Sequence, residues 1–183
     1  EYEISTRLVG SEMCIRASDR WVHSFYAKNV DLENFEKTMA SLGKIIEGTL
    51  NEKLMFQDAK ILLEETNLRG WMSACVSASP YELLKNKLIK ANIFDYFSYV
   101  IGGDQVERNK PYPDIYNKAI SELQTTKNIV IEDSPPGISS GKESGSFVVA
   151  IDRGIFSKDE LNKADLIVDN LSIDIIETVF NSL

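Results

Sequence analysis

A hydroxyl, a cation and a pair of carboxylates follow successive apolar segments of this sequence. Ser77 comes directly after one such segment, and Lys110 lies beyond two consecutive glycines. Glu132 and Asp133 come directly after another apolar segment. Carboxylate oxygens are ligands that Mg²⁺ prefers, while an ammonium group and a hydroxyl can hold phosphoryl oxygens. Together these residue types suit the binding of a phosphoryl group with its magnesium ion.

The elements that must position these residues alternate between strands and helices. Apolar runs bounded by turn residues predict strands at 71–76, 99–101, 128–131, 147–151 and 166–168. Helical segments separate them, as at 113–123 and 136–144. Strands that are apolar throughout and alternate with helices are typical of a parallel sheet covered on both faces. We therefore predict a doubly wound, Rossmann-type α/β fold, in which ligands bind at the carboxyl ends of the strands.

The segment after the strand at 71–76 has two interpretations. Ser79, Pro80 and the residues that follow have the form of a capping box with proline at the first helical position. Ser79 is therefore predicted either to cap a helix or to add a second hydroxyl to the phosphate site. Asp114 is predicted to be an acid in the first turn of a helix, and Asp104 to be an acid of a loop.

Three segments at the predicted strand ends resemble the motifs of a known superfamily. They are 76–79 (VSAS), 102–114 (GGDQVERNKPYPD) and 131–138 (IEDSPPGI). In this order they resemble the second, third and fourth motifs of the haloacid dehalogenase (HAD) superfamily. The resemblance is strongest to the branch that contains β-phosphoglucomutases and phosphoglycolate-phosphatase-like enzymes, and it extends from about Phe56 to the C-terminus.

The resemblance implies a role for each candidate residue. Ser77 and Lys110 are implied to be catalytic: Ser77 binds the transferring phosphoryl group, with Ala78 beside it, and Lys110 neutralises charge on the phosphoryl oxygens. Asp133 is implied to be a ligand of Mg²⁺, and Glu132 to be a second ligand or a neighbour that supports the metal site. The implied substrate is a small phosphorylated metabolite such as a sugar phosphate. Hydrolysis and mutase chemistry share these residues.

The first motif of the superfamily is missing from the sequence. In the superfamily an apolar strand ends in two aspartates one residue apart; the first becomes phosphorylated and the second is the general acid and base. No Asp-x-Asp occurs anywhere in the 183 residues. We therefore expect a core without its first, central strand, and a chain that does not turn over substrate.

Two explanations of the missing motif stay open. The chain is either a fragment whose true N-terminus was lost, which we favour, or a family member that binds phospho-ligands or a partner without catalysis. Residues 8–16 (LVGSEMCIR) resemble a translated sequencing adapter, and residues 1–17 stay unassigned. We expect a partial helical cap over residues 18–54 and the α/β core over residues 55–183.

Charge and composition argue against several classes of partner. The net charge is −8 and no cluster of Lys or Arg forms a stripe, so we expect no nucleic-acid partner. No apolar run approaches the roughly 20 residues that cross a bilayer, so we expect no membrane partner. The two cysteines are too few and too far apart for a disulfide framework, which favours a reduced, cytoplasmic setting.

Overall fold

The computed structural model describes the backbone of residues 3–6 and the whole of residues 55–183. The predicted cap at 18–54 and most of the unassigned N-terminal segment lie outside the described residues. The strands, in chain order, are β1 Glu3–Thr6, β2 Met72–Val76, β3 Tyr99–Ile101, β4 Asn128–Glu132, β5 Phe147–Ile151 and β6 Leu166–Val168. The helices are α1 Gln57–Leu68, α2 Tyr81–Lys90, α3 Asp114–Leu123, α4 Pro135–Glu143, α5 Lys158–Leu161 and α6 Ile173–Ser182.

The strands form one parallel sheet in the order β3-β2-β1-β4-β5-β6. From β1 the chain adds β2 and β3 on one side, and it then crosses over to add β4, β5 and β6 on the other. The strand order therefore reverses between β1 and β4. In open sheets of this kind, ligands bind outside the carboxyl ends of the strands, near the point of reversal.

The predicted doubly wound fold is confirmed. β3, β5 and β6 have the predicted bounds, because each is an apolar run flanked by polar or turn residues. β4 is one residue longer than predicted and includes Glu132, and β2 begins one residue later, at Met72. Within residues 55–183, no helix has the length and apolar character that a membrane span requires.

Strand β1 corrects one expectation. We expected a core without its central strand, but Glu3–Thr6 occupy that position and pair with both β2 and β4. Ile4 and Thr6 are β-branched, which suits a strand, but four residues are too few to show a period in the sequence. Thr6 pairs with Ile131, the residue before Glu132. β1 contains no aspartate.

Side chains alternate between the two faces of the sheet, and each face has its own apolar core. On β4, Ile129 and Ile131 pack with helices α1, α2 and α6, whereas Val130 packs with α3 and α4. Because alternate residues of a strand share a face, Glu132 points to the same side as Val130. This alternation directs the Glu132 carboxylate at helices α3 and α4.

Helix α2 begins differently from the prediction. Ser79 was one candidate for its N-cap, with Pro80 as the first helical residue, but the helix starts at Tyr81 and Pro80 is its N-cap residue. The amide of Tyr81 donates to the carboxylate of Asp104 at 2.7 Å. Asp104 was predicted to be an acid of a loop, but it lies in a short 3-10 helix, Gly103–Gln105, 23 residues further along the chain. Such a remote partner leaves no local signal in the sequence.

Candidate active site

Lys110 and Glu132 meet at the carboxyl edge of the sheet. Lys110 Nζ lies 2.5 Å from Glu132 Oε1 and 3.0 Å from the carbonyl oxygen of Val76. Val76 ends β2 and Glu132 ends β4, so the ammonium group contacts the ends of both neighbours of β1. The side chain of Lys110 is 3% exposed and that of Glu132 is 0% exposed. The pair is therefore a buried ion pair at the point where the strand order reverses.

Two hydroxyl groups bind the Glu132 carboxylate in addition to Lys110. Tyr116 Oη donates to Glu132 Oε1 at 2.6 Å, and Ser134 Oγ donates to Glu132 Oε2 at 3.3 Å. Both hydroxyl residues are buried. A buried carboxylate is costly unless it is paired and hydrogen-bonded. Both oxygens of Glu132 meet this requirement.

Gly137 allows helix α4 to approach the same carboxylate. A Cβ atom at position 137 would lie 2.0 Å from Glu132 Oε2 and 2.1 Å from its carboxyl carbon. No side chain fits at such distances, so only glycine allows this helix to lie directly against Glu132. The first turn of α4 therefore packs directly against the Glu132 carboxylate.

The loop that carries Lys110 is held at both ends. Asn109 Nδ2 donates to the carbonyl oxygen of Ala78 at 3.0 Å, and Asn109 Oδ1 accepts from the Lys110 amide at 2.8 Å. Beyond Lys110, the carbonyl oxygen of Tyr112 accepts from Ser140 Oγ at 2.6 Å. The loop is therefore tied to the segment after β2 and to helix α4, and it places Lys110 between them.

Ser77 and Ala78 lie directly beside this loop. Ser77 is fully buried, its amide donates to the carbonyl oxygen of Ile101 at 3.1 Å, and its Oγ accepts from the Ser79 amide at 3.1 Å. The next carbonyl, that of Ala78, accepts from Asn109. The hydroxyl of Ser77 thus occupies a fixed position one residue after the carbonyl group that binds Lys110 Nζ.

Asp133 follows Glu132 and is partly buried between β4 and α4. Mg²⁺ is commonly held by one or two carboxylates together with several waters. Asp133 fits such a site as one carboxylate ligand, whereas Glu132 is hydrogen-bonded to Lys110, Tyr116 and Ser134. Within residues 55–183 and the short strand β1, no group of three or more acids, histidines or cysteines could hold a metal ion. The described residues therefore fit Mg²⁺ only as a site with few protein ligands.

The structure therefore brings two of the sequence candidates into direct contact, Lys110 and Glu132. Ser77 is connected to them through the backbone at the end of β2, and Asp133 through its place in the chain next to Glu132. Asp114, predicted as an acid of the first helical turn, is the first residue of α3. Its hydrogen bonds with Arg108, at 2.7 and 3.0 Å, hold the pKa of Asp114 below its ordinary value.

Sequence reasoning did not single out Tyr116. It lies six residues after Lys110, on the buried side of helix α3, where an aromatic residue at helical spacing indicates core packing. Its ring does belong to the core, but its hydroxyl binds both members of the buried ion pair. Only the crossing of α3 over the end of β4 reveals this second role.

A second ion pair at the carboxyl edge was also not predicted. Arg153 Nη2, after β5, lies 2.9 Å from Asp58 Oδ1 in the first turn of α1. Asp58 Oδ2 accepts from the Leu171 amide at 3.0 Å. Burial alone would raise the pKa of Asp58, but the hydrogen bonds from Arg153 and Leu171 outweigh it and lower the pKa. This pair connects three segments that lie far apart in the sequence.

The chain matches one family model and several proteins of known activity. A family model described as haloacid dehalogenase-like hydrolase matches residues 11–151. Phosphorylated carbohydrates phosphatase from Thermotoga maritima is 29% identical over 117 residues, which cover 62% of this chain and 53% of that protein. Bifunctional riboflavin kinase/FMN phosphatase from Arabidopsis thaliana is 42% identical over 57 residues, 30% of this chain and 15% of that protein.

The fold resembles that of solved structures. β-Phosphoglucomutase from Clostridium difficile aligns with a TM-score of 0.74 at 17% identity, covering 100% of this chain and 97% of that one. At this identity the likeness concerns the fold. Among the curated relatives, the chain typically spans about half of their length, as with the Thermotoga phosphatase, and in the Arabidopsis enzyme it spans 15%.

Proposed function

Because the chain belongs to the haloacid dehalogenase-like hydrolase family, we propose that it derives from a magnesium-dependent phosphatase or phosphomutase of small phosphorylated metabolites. Sugar phosphates are the favoured substrates, supported by the relative named for phosphorylated carbohydrates. The observation that carries the proposal is the buried Lys110–Glu132 pair, whose ammonium group contacts the end of β2 next to Ser77. A cytoplasmic location belongs to the same proposal, on the ground of two widely separated cysteines.

In this proposal each residue acts on one part of a phosphoryl group. Lys110 neutralises the charge of the phosphoryl oxygens, and Ser77 donates its hydroxyl hydrogen to one of them, next to the Ala78 backbone. Asp133 would hold Mg²⁺, which would neutralise further charge on the same oxygens. The buried position of Glu132 supports a role in orienting Lys110 rather than in binding the metal.

We propose further that this chain binds phosphate without turning over phosphate esters. The chemistry of the family needs a carboxylate nucleophile at the end of the central strand, followed by a second aspartate as acid and base. Strand β1 has Ser5 and Thr6 at its end, and no Asp-x-Asp occurs in the sequence. Without the nucleophile, the remaining groups hold the phosphoryl group but provide no route to a covalent intermediate.

A second function, phospho-ligand binding by a non-catalytic family member, is favoured by one observation. The central position of the sheet is filled by Glu3–Thr6, so the sheet is continuous without an aspartate-bearing strand. A genomic read of the coding region upstream of Ser18 separates the two functions. An in-frame apolar strand ending in Asp-x-Asp supports the enzyme; continuity of residues 1–17 with an initiation codon supports the binding protein.

Activity assays test whether the chain turns over substrate. The chain is incubated with a panel of sugar phosphates and p-nitrophenyl phosphate in Mg²⁺, and free phosphate is measured, with an active family phosphatase as positive control. We expect no release above that of buffer. Saturable, Mg²⁺-dependent release by the purified chain would refute the proposal that it is inactive.

Titration with inorganic phosphate tests whether the site binds its ligand. The variant pair Lys110→Met with Glu132→Gln removes both charges together, which avoids leaving one buried charge unpaired. We expect this double variant to bind phosphate at least about tenfold more weakly, because a charge-assisted contact is lost. Lys118→Met is the control, since Lys118 is exposed and donates to the carbonyl oxygen of Gln105. Absence of saturable binding by the unmodified chain would contradict the proposed site.

A further inference from the structure

We propose that Asn109 is a positioning residue of the phosphate site. Its side-chain amide joins the Lys110 loop to the segment after β2, and it thereby sets where the Lys110 ammonium group lies relative to the Ser77 hydroxyl. This inference rests on the proposed function and deepens it. Asn109 acts on phosphate through Lys110 and does not itself bind the phosphoryl group.

The segment after β2, residues 76–81, is hydrogen-bonded to the segment that follows it in the sheet, residues 101–110. Two backbone hydrogen bonds join them: the Ser77 amide donates to the Ile101 carbonyl oxygen at 3.1 Å, and the Gly103 amide donates to the Ser79 carbonyl oxygen at 2.8 Å. Both bonds involve the first residues of the second segment. Asn109, near its other end, adds a bond from a side chain.

The side chain of Asn109 uses both ends of its amide. Its Nδ2 donates to the carbonyl oxygen of Ala78 at 3.0 Å, and its Oδ1 accepts from the Lys110 amide at 2.8 Å. A side-chain amide carries a donor and an acceptor on one planar group. One rigid group therefore connects the residue after Ser77 to the backbone of Lys110.

Gly103 provides the space that this amide occupies. A Cβ atom at position 103 would lie 2.0 Å from Asn109 Nδ2 and 2.5 Å from the carbonyl oxygen of Ala78. The amide of Asn109 therefore packs directly on the backbone of the short 3-10 helix Gly103–Gln105. Two hydrogen bonds and this contact hold the amide in one place, although Asn109 belongs to a loop.

The two carbonyl groups that the loop binds flank Ser77 in the chain. Lys110 Nζ lies 3.0 Å from the carbonyl oxygen of Val76, and Asn109 Nδ2 lies 3.0 Å from that of Ala78. The loop thus contacts the chain on both sides of Ser77, once through Lys110 and once through Asn109. The distance between the Ser77 hydroxyl and the Lys110 ammonium group depends on both contacts.

Loss of the Asn109 amide should displace Lys110 and leave Ser77 in place. Ser77 keeps its backbone bond to Ile101, which does not involve Asn109. The backbone of Lys110, in contrast, loses its connection to the segment after β2. A lysine side chain has many rotamers, so a mobile backbone increases the entropy that is lost when the ammonium group binds phosphate.

Phosphate titration of Asn109→Ala tests this role. We expect inorganic phosphate to bind about three- to tenfold more weakly than to the unmodified chain, the range expected for the loss of one or two neutral hydrogen bonds. Asn117→Ala is the matched control, because Asn117 is exposed on helix α3; its phosphate affinity should equal that of the unmodified chain. Asn109→Ser is a milder second variant, whose shorter side chain does not reach Ala78, and it should show the same loss.

The variant pair Lys110→Met with Glu132→Gln gives a readout that a purely structural role would not change. If Asn109 acts through Lys110, Asn109→Ala should not weaken phosphate binding further once Lys110 is replaced. A purely structural role would lower the free energy of unfolding, measured in urea, and leave the affinity of the folded protein unchanged.

The outcomes separate this inference from the proposed function. If the unmodified chain binds phosphate and the two Asn109 variants bind it equally well, the positioning role alone is overturned. An equal loss with and without Lys110 also overturns it, because Asn109 would then act independently of Lys110. If the unmodified chain shows no saturable binding, the proposed function fails and the positioning role fails with it.

Discussion

Two ion pairs lie at the carboxyl edge of the same sheet, and they differ in how far water reaches them. The Lys110–Glu132 side chains are 3% and 0% exposed, whereas the Arg153–Asp58 side chains are 12% and 17% exposed. In both pairs the carboxylate accepts hydrogen bonds from further groups: hydroxyls at Glu132, and backbone amides at Asp58. Both sites therefore stabilise a carboxylate by an ion pair and hydrogen bonds, one fully buried and the other partly exposed.

The deeper pair lies among buried residues such as Tyr116 and Ser134, and each of its charges depends on the other. The outer pair joins the start of α1 to the loops after β5 and β6, and the guanidinium group of Arg153 lies 4.0 Å from the ring centroid of Phe56. Burial raises the cost of breaking a pair far more than it raises the value of forming one. Hence we expect the inner pair to be sensitive to single substitutions and the outer pair to be tolerant of them.

The largest expected effect is that of Glu132→Gln, which leaves the ammonium group of Lys110 buried without its counter-charge. We expect the free energy of unfolding to fall by about 3–5 kcal/mol, measured by urea denaturation. The double variant Lys110→Met with Glu132→Gln should lose less than the single variant. Additive losses would mean that the two charges do not depend on each other.

The second effect concerns the packing of α4 on the inner pair. Gly137→Ala places a Cβ atom 2.0 Å from Glu132 Oε2, and we expect a loss of stability of about 1–3 kcal/mol through overpacking. Gly141→Ala on the same helix is the comparison, because the three atoms nearest to its Cβ belong to valine side chains and lie at 2.9–3.3 Å, where a smaller shift relieves the contact. Thermal unfolding of the two variants should show the larger loss at position 137; the opposite order would contradict the close approach of α4 to the carboxylate.

The third effect is the pH dependence of the outer pair. The lowered pKa of Asp58 means that its stabilisation is fully present above the ordinary value of 3.8 and is lost as the pH falls through the lowered pKa. Asp58→Asn should cost about 1–2 kcal/mol at neutral pH, and the difference from the unmodified chain should shrink below pH 4. The exposed Asp95→Asn serves as control. If the stability difference between Asp58→Asn and the unmodified chain stays constant as the pH falls to 2, the Asp58 carboxylate is not the group that titrates.

The smallest effect is expected for Arg108→Ala. Arg108 forms a bidentate pair with Asp114, but its side chain is 55% exposed. Exposed pairs of this kind contribute little, because water and salt screen them. We expect no measurable change in the midpoint of thermal unfolding in 0.15 M salt. A clear decrease in this midpoint would show that the Arg108–Asp114 pair contributes more to stability than its exposure indicates.

Local sequence patterns predicted most strands of the sheet. The features they missed depend on length or on contacts between distant segments. β3, β5 and β6 were predictable because apolar runs flanked by turn residues define their ends. β1 was not, because it has only four residues, and neither was the start of α2, which depends on Asp104.

The candidate site followed the same division. The location of Ser77, Lys110 and Glu132 at one edge of the sheet was predictable, because the loops that follow parallel strands lie at the same edge. The pairing of Glu132 with Lys110 and Tyr116 was not, because it depends on how α3 and the Lys110 loop cross the end of β4. The Asp58–Arg153 pair spans 95 residues and is invisible to any local pattern.

We propose that Ser77, Lys110 and Asp133 surround one phosphoryl group. A crystal structure of the chain grown with Mg²⁺ and tungstate, a phosphate analogue, tests this directly. We predict tungstate within hydrogen-bonding distance of Ser77 Oγ and Lys110 Nζ, with Mg²⁺ bound by Asp133 and the Lys110–Glu132 pair intact. Tungstate elsewhere on the protein, or Mg²⁺ bound by Glu132 with Lys110 displaced, would contradict it.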